Sequence, residues 1–123
     1  MACAMAYGRT GAGGEQTVQG LLADAATELD AAMLLVQQAA LRSPMSLALA
    51  SMAKLAATEA AMAKLLSSET AERVASLAVN LHGGNGFVKE YPVEKLYRDA
   101  KIGQIYEGTS NLQLETIAKQ IIG

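Results

Sequence analysis

The uninterrupted segment from Pro44 to Asn80 limits the possible folds of this chain more than any other feature. It contains no glycine and no further proline, and it is rich in alanine, so its residues favour a helix. A single helix of this length would span roughly 55 Å at 1.5 Å per residue. Ser43 followed by Pro44 is typical of a helix start. The sequence therefore predicts one long helix, in which a break near Ser67 and Ser68 is compatible with the pattern but not required.

Within this segment, Met52-Ala53-Lys54-Leu55 recurs ten residues later as Met62-Ala63-Lys64-Leu65. The repeat is either helical low complexity or a local duplication that lengthened the helix. Because ten residues are close to three helical turns, both copies are expected to face in similar directions.

A second helical pattern precedes this segment, from Glu15 to Arg42. Its apolar residues recur at three- and four-residue steps, as in an amphipathic helix. Arg42 lies at the end of the pattern, where a cation complements the helix dipole. The apolar positions are Val18, Leu21, Leu22, Ala25, Leu29, Ala32, Met33 and Val36.

The C-terminal third contains two shorter helical patterns. The loop from Gly83 to Gly86 ends the long helix, and residues 87–91 are expected to be extended because they precede Pro92. Pro92 then opens a helix over residues 93–102. Residues 106–108 form a loop, and Thr109 or Ser110 caps a last helix that runs to Ile122. The expected buried face of that helix consists of Leu112, Ile117 and Ile121.

Together these patterns predict an all-α protein, an antiparallel four-helix bundle over residues 15–123. The glycine-rich residues 1–14 are expected to form a flexible N-terminal lead-in. The net charge of −2 and the absence of tryptophan argue against a nucleic-acid partner. No apolar run approaches the roughly 20 residues that span a bilayer, so no membrane partner and a cytoplasmic location are expected. Because His82 is the sole histidine, no metal site is predicted.

Residues 81–113 contain the features of a site. Glycines 83, 84 and 86 allow the backbone to approach a ligand or to adopt a positive φ. Glu107 lies between Tyr106 and Gly108, and apolar surroundings of this kind can raise the pKa of a carboxylate into the range of a base. Taken alone, a glutamate in a helix connection such as Glu107 is ordinarily a solvated loop residue. In the same way, His82 is compatible with packing at the helix end, and Arg98 with a structural ion pair involving Asp99.

The run GGNGFVKEYPVEKLYRDAKIGQIYEGTSNLQ resembles the C-terminal domain of the acyl-CoA dehydrogenase family, and the medium-chain type in particular. Ala61-Met62-Ala63-Lys64-Leu65 also resembles part of the family's long helix. The resemblance implies an FAD-dependent flavoprotein of fatty acid oxidation, an oxidoreductase that converts an acyl-CoA thioester to its trans-2-enoyl form. By that resemblance, Glu107 is the catalytic base, and its backbone N–H polarises the thioester carbonyl. Tyr106 and Gly108 would contact the substrate.

The resemblance also implies which residues contact FAD. Asn80, Leu81, His82, Gly83 and Gly84 would contact the FAD of a neighbouring subunit. The subunit's own FAD would be contacted by Thr109, Ser110, Asn111 and Arg9. Such shared sites imply a homo-oligomer.

Two interpretations remain open. In the first, the chain works as an acyl-CoA dehydrogenase domain only with a partner chain that supplies the family's other domains, and the isolated chain is inactive. In the second, it is a non-catalytic, freestanding helical module that oligomerises or binds a ligand. A partner-dependent enzyme should expose a large apolar surface, which a freestanding module would cover with its own contacts.

Overall fold

The computed structural model describes residues 16–42 and 50–122 of the chain, which form four α-helices and no strand. The helices are α1 (Gln16–Arg42), α2 (Ala50–His82), α3 (Val93–Ile102) and α4 (Ser110–Ile122), with a 3₁₀ turn at Gly83–Gly86 after α2. The all-α, four-helix prediction is therefore confirmed. The predicted lead-in, which includes Arg9, and the predicted start at Ser43 and Pro44 lie outside the described residues.

Helix α2 is the central element, because α1, α3 and α4 all pack against it. Helix α1 runs antiparallel to α2: Glu28 pairs with Arg73, whereas Arg42, further along α1, pairs with Glu59, which is earlier in α2. Helix α3 is also antiparallel to α2. Its first residue, Val93, packs with Ala78, and Tyr97, one turn later, bonds to Glu72.

Small residues at intervals of seven form the buried face of α1. Val18, Ala25, Ala32 and Ala39 are the buried residues of this helix. Alanines allow two helices to approach closely, and a repeat of seven keeps one seam turned towards the partner. The larger members of the predicted apolar stripe are mostly outside this seam, since Leu21, Met33 and Val36 are exposed.

Helix α2 continues without a break through Ser67 and Ser68. The Ser67 hydroxyl donates a hydrogen bond to the Lys64 carbonyl at 3.2 Å, and the Ser68 hydroxyl donates one to the Leu65 carbonyl at 3.1 Å. Both hydroxyls thus bond within the preceding turn, which lets serine remain inside a helix.

The two copies of the repeat do not face in similar directions, so that prediction is wrong. Lys54 and Leu55 are exposed, whereas Lys64 and Leu65 are half-buried. Ten residues at about 100° each fall roughly 80° short of three full turns. The second copy is therefore rotated about the helix axis relative to the first.

The prediction of an extended segment at residues 87–91 is also wrong, because these residues form consecutive turns. The Phe87 N–H donates to the Gly84 carbonyl at 3.4 Å, and the Tyr91 N–H donates to the Val88 carbonyl at 3.3 Å. Phe87 itself has helical dihedral angles. The short connection must reverse the chain direction so that α3 returns along α2, and turns achieve this where an extended strand would not.

The predicted buried face of α4 is wrong as well. Leu112 is 52% exposed and Ile121 is 70% exposed, Ile117 is half-buried, and α4 has no buried residue. Helix α4 packs chiefly against α2, so nothing within the described residues covers its outer side. The described part of the chain contains no helix with the length and hydropathy of a membrane span.

Candidate functional site

A tightly hydrogen-bonded loop, residues 103–109, connects α3 to α4. Its first half continues the helical turn, because the Ile105 and Tyr106 amides donate to the Ile102 carbonyl at 2.9 and 3.1 Å. Its second half is closed by the Ser110 amide, which donates to the Gln104 carbonyl at 3.2 Å. The loop is thus a defined structure on which Glu107 is held at a fixed place.

Glu107 has a φ of +53°, and among the described residues it is the one non-glycine residue with a positive φ. This conformation is disfavoured for a residue with a Cβ atom, and such strain is concentrated at functional sites. Glu107 is exposed, and the adjacent Ile105 and Tyr106 are more than half exposed. The chain therefore presents a carboxylate and two apolar side chains outward from one strained loop.

The backbone conformation of Gly108 favours glycine, because its φ is +98°. A Cβ atom there would also lie 2.7 Å from Nε2 of Gln113, the end of a side chain that would have to move. Its carbonyl oxygen accepts hydrogen bonds from two side chains, the ammonium of Lys64 in α2 and the amide of Gln113 in α4, the latter at 3.3 Å. The peptide that joins Gly108 to Thr109 is thereby tied to both neighbouring helices.

Lys64 is a residue of this site to which sequence reasoning assigned no role. It appears in the sequence only as part of a repeated segment and of a family-like helix, and its partner is 44 residues away. In the structure, the signal is that Lys64 is a half-buried lysine on a helix. The sequence alone does not show this burial. Lys64 also lines an apolar groove of about 390 Å³ between α1 and α2, together with Val36, Ala39, Ala40, Ala60, Ala63 and Ser67.

The N-terminus of α4 carries polar groups that have no partner within the described part of the chain. The Asn111 and Leu112 amides lie in the first turn and donate to no described acceptor, and that turn contains no acidic residue. The Ser110 hydroxyl is buried and likewise has no hydrogen-bond partner among the described residues. Thr109 and Asn111 are exposed. This end of the helix can therefore accept an anionic or hydrogen-bonding group.

The glycine turn at the end of α2 contains both exposed and inward-facing candidate FAD contacts. Asn80, Gly83 and Gly84 are exposed, and Gly83 has a φ of +57°. Leu81 packs against the core, and His82 is buried, with Nδ1 2.7 Å from the Ala78 carbonyl oxygen. The side chains of Leu81 and His82 therefore fix the turn from inside, whereas Asn80 and the two glycines are accessible.

His82 and the charged pair in α3 have structural surroundings. The His82 ring makes an edge contact with Tyr91, with centroids 6.4 Å apart. Arg98 bonds to Glu94, which raises the pKa of the Arg98 guanidinium, and Asp99 pairs with Lys95. Across the described residues, no three His, Cys, Asp or Glu side chains are grouped so that they could hold a metal ion.

The loop that carries Glu107 and the glycine turn are distant from each other. Gly108 contacts α2 at Lys64, whereas the turn begins after His82. Lys64 and Asn80 are sixteen positions apart in α2, which corresponds to roughly 24 Å along the axis. The chain thus has two separate candidate surfaces, one beside the middle of α2 and one at its C-terminal end.

The strain at Glu107 predicts a stabilising substitution. We expect Glu107→Asn to raise the free energy of unfolding by about 1 kcal/mol, because asparagine tolerates a positive φ better than glutamate. Urea denaturation of the full chain measures this change. Glu90→Asn is the control, since Glu90 is exposed and does not have a positive φ. Equal changes in both variants would contradict the assignment of strain to Glu107.

Comparison with known proteins gives one family. The family model described as acyl-CoA dehydrogenase, C-terminal domain, matches residues 2–122. A probable short/branched chain specific acyl-CoA dehydrogenase of Dictyostelium discoideum is 46% identical over 107 residues, which cover 87% of this chain and 24% of that protein. The acryloyl-CoA reductase (NADH) of Anaerotignum propionicum is 44% identical, with 87% of this chain and 25% of that protein covered. The chain therefore spans about a quarter of the length of these relatives.

Solved structures have the same fold. Butyryl-CoA dehydrogenase from Megasphaera elsdenii superposes with a TM-score of 0.78 and 36% identity, over 89% of this chain and 27% of that chain. A chain in a structure of the electron transferring flavoprotein of Acidaminococcus fermentans gives a TM-score of 0.87 and 32% identity, over 98% of this chain and 32% of that one.

Proposed function

Because the chain belongs to the acyl-CoA dehydrogenase family and corresponds to the C-terminal domain of its members, we propose that it supplies the base and part of the flavin site of an enzyme acting on acyl-CoA thioesters. The reaction is removal of hydrogen from the α and β carbons. The observation that carries the proposal is the strained backbone at Glu107, the residue that matches the family's base.

The groups of Glu107 suit two roles in this reaction. Its exposed carboxylate would take the proton from the α-carbon, as a general base. Its backbone N–H donates to no acceptor among the described residues, so it is available to bond the thioester oxygen as negative charge develops there. Tyr106, which is 56% exposed, would border the acyl group. FAD, when bound, would supply the acceptor for the hydride that leaves the β-carbon.

The polar groups around α4 fit part of an FAD molecule. The free Asn111 and Leu112 amides and the unpartnered Ser110 hydroxyl would hold polar atoms of one flavin, with Thr109 beside them. The accessible Asn80, Gly83 and Gly84 would contact a second flavin held by another subunit, which agrees with the large separation of the two surfaces. Leu81 and His82 would contribute through their backbone, and Arg9 is proposed on the resemblance alone.

Names of the relatives support both directions of the reaction. They include dehydrogenases, an acryloyl-CoA reductase (NADH) and the subunit CarC of a caffeyl-CoA reductase–Etf complex. A carboxylate that takes the α-proton becomes the acid that can return it, so the same loop serves oxidation or reduction. An electron-transferring flavoprotein is accordingly the proposed class of redox partner.

The exposed apolar surface favours dependence on further polypeptide. Large apolar side chains are exposed on the outer sides of α1 and α4, namely Met33, Leu34, Leu41, Leu112, Leu114, Ile121 and Ile122. A freestanding module would cover such a surface in a homo-oligomer, but the shared flavin site also implies an oligomer. Acyl-CoA turnover by the purified full chain, measured with and without added polypeptide alongside sedimentation, therefore distinguishes the two interpretations. A stable monomer that turns over acyl-CoA would contradict the partner-dependent proposal.

A substitution at Gly84 tests the flavin assignment. We expect Gly84→Asp to weaken FAD binding by the assembled enzyme about tenfold or more, because a carboxylate would approach the negatively charged pyrophosphate. Open space surrounds this glycine, so the fold tolerates a side chain there. Flavin fluorescence measures binding during titration of the apoprotein. Gly84→Asn, similar in size but uncharged, is the control, and equal effects of Asp and Asn would contradict the electrostatic explanation.

A further inference from the structure

Lys64 is a half-buried cation that the proposed reaction has not used. Its ammonium donates a hydrogen bond to the neutral carbonyl of Gly108, and no ion pair of Lys64 is formed with the described residues. Lys64 also lines the apolar groove between α1 and α2, and a lysine stem can pack on apolar surface while its charged end reaches a polar partner. An ammonium group placed in this way can fix the position of a backbone carbonyl, whereas a fully exposed lysine would mainly contact solvent.

We propose that Lys64 is the positioning residue of Glu107, a role that rests on the proposed function of this carboxylate. The Gly108 carbonyl lies one peptide beyond Glu107, and the two residues have consecutive positive φ angles. Strained dihedral angles persist only where surrounding contacts over-determine them. Lys64 holds the strained segment from α2, and Gln113 holds the same oxygen from α4.

The hold on the Gly108 carbonyl therefore affects two functional groups of Glu107. If that oxygen is released, the positive φ angles of Glu107 and Gly108 can relax, and a change in the φ of Glu107 rotates its side chain relative to its own N–H. Both groups must meet one thioester, so a small rotation would separate the base from the oxygen-binding amide. Lys64 acts through this loop and is not itself assigned a contact with the substrate.

The sequence contains its own matched control for the test. Lys54 occupies the same place in the first Met-Ala-Lys-Leu copy, but it is exposed and makes no described side-chain contact. We compare Lys64→Met with Lys54→Met in the full chain. The reporter is amide hydrogen exchange at Ser110, whose hydrogen bond to the Gln104 carbonyl closes the loop.

We expect Lys64→Met to accelerate Ser110 exchange roughly 10- to 100-fold, because a hydrogen bond from a charged donor is lost. Lys54→Met should leave the exchange rate unchanged, and Lys64→Arg should restore part of the protection. Gln113→Leu removes the second donor without altering α2 and should accelerate exchange even where Lys64→Met fails to fold. Equal Ser110 exchange in the two lysine variants would overturn the proposal, as would unchanged exchange in Gln113→Leu when Lys64→Met cannot be obtained.

A second readout separates positioning from the assignment of the base. In the assembled enzyme, Lys64→Met should lower kcat for acyl-CoA at least tenfold with KM changed less than threefold, since the substrate is bound but misaligned. A rise in KM with kcat unchanged would overturn the positioning role. Failure of Glu107 as the base would leave the exchange result intact, so the two proposals fail separately.

Discussion

Replacement of Glu107 by glutamine in the assembled enzyme is expected to lower the rate of α-proton removal by roughly 10²- to 10⁴-fold. Glutamine retains the size of the side chain and its backbone N–H, but it has no carboxylate to take a proton. Glutamine can adopt the same φ of +53° and the same exposed position as Glu107, so binding of acyl-CoA should change little. Anaerobic bleaching of the flavin after rapid mixing with acyl-CoA measures the rate.

Glu90→Gln is the matched control for this experiment. Glu90 is also exposed and acidic and lies in a turn, but it is in the connection between α2 and α3 rather than in the 103–109 loop. Its replacement should leave the rate within about twofold of the parent, as expected for a surface substitution away from special features. A Glu107→Gln enzyme that retains the parent rate would eliminate this carboxylate as the base.

Gly86→Ala is expected to reduce the free energy of unfolding by about 3 kcal/mol or more, the largest stability effect predicted for this chain. Gly86 is buried, and a Cβ atom there would overlap the Val79 carbonyl oxygen and lie only 3.0 Å from its carbonyl carbon. Both obstacles belong to the backbone of α2, which cannot move aside as a flexible side chain could. Urea denaturation of the full chain measures the loss.

Gly84→Ala, two residues earlier in the same turn, provides the comparison. A Cβ atom at Gly84 would meet nothing within 4 Å, and its φ is not in the left-handed region. This substitution should be neutral or slightly stabilising, because alanine reduces the conformational freedom of the unfolded chain. A similar loss of stability in both variants would mean that turn flexibility, and not the contact with Val79, makes glycine necessary at position 86.

The helices that the sequence specifies best are those with long, unbroken patterns. The first helix was expected from Glu15 to Arg42 and extends from Gln16 to Arg42, because its periodicity covers many turns. The buried face of α4 could not be predicted in the same way. Periodicity indicates that a helix has an apolar side, but it does not indicate what covers Leu112 or Ile121. The turn at residues 87–91 was missed because the rule for residues before proline is local, whereas the reversal of the chain is required by packing.

The site was predictable to a similar degree. Of glycines 83, 84 and 86, for which the sequence allows a positive φ, Gly83 has one, and Gly108 has one as well. The strain at Glu107 could not be predicted, because no residue type encodes a disfavoured angle that contacts elsewhere impose. The role of Lys64 could not be predicted for the same reason, since its hydrogen bond joins residues 44 apart in the chain.

The central position of α2 has a consequence for how the chain assembles. Arg42 and Glu59 are separated by 17 residues and lie where the α1–α2 pair begins, whereas Glu28 and Arg73 are 45 residues apart. Pairing can therefore start near the connection and proceed outward, each step closing only a slightly longer loop. Such a low-contact-order route favours rapid folding. The hydrogen bond from Lys64 to Gly108 joins residues 44 apart, about as many as the Glu28–Arg73 pair, so the loop that carries Glu107 is expected to attach at about the same stage as the far end of the α1–α2 pair.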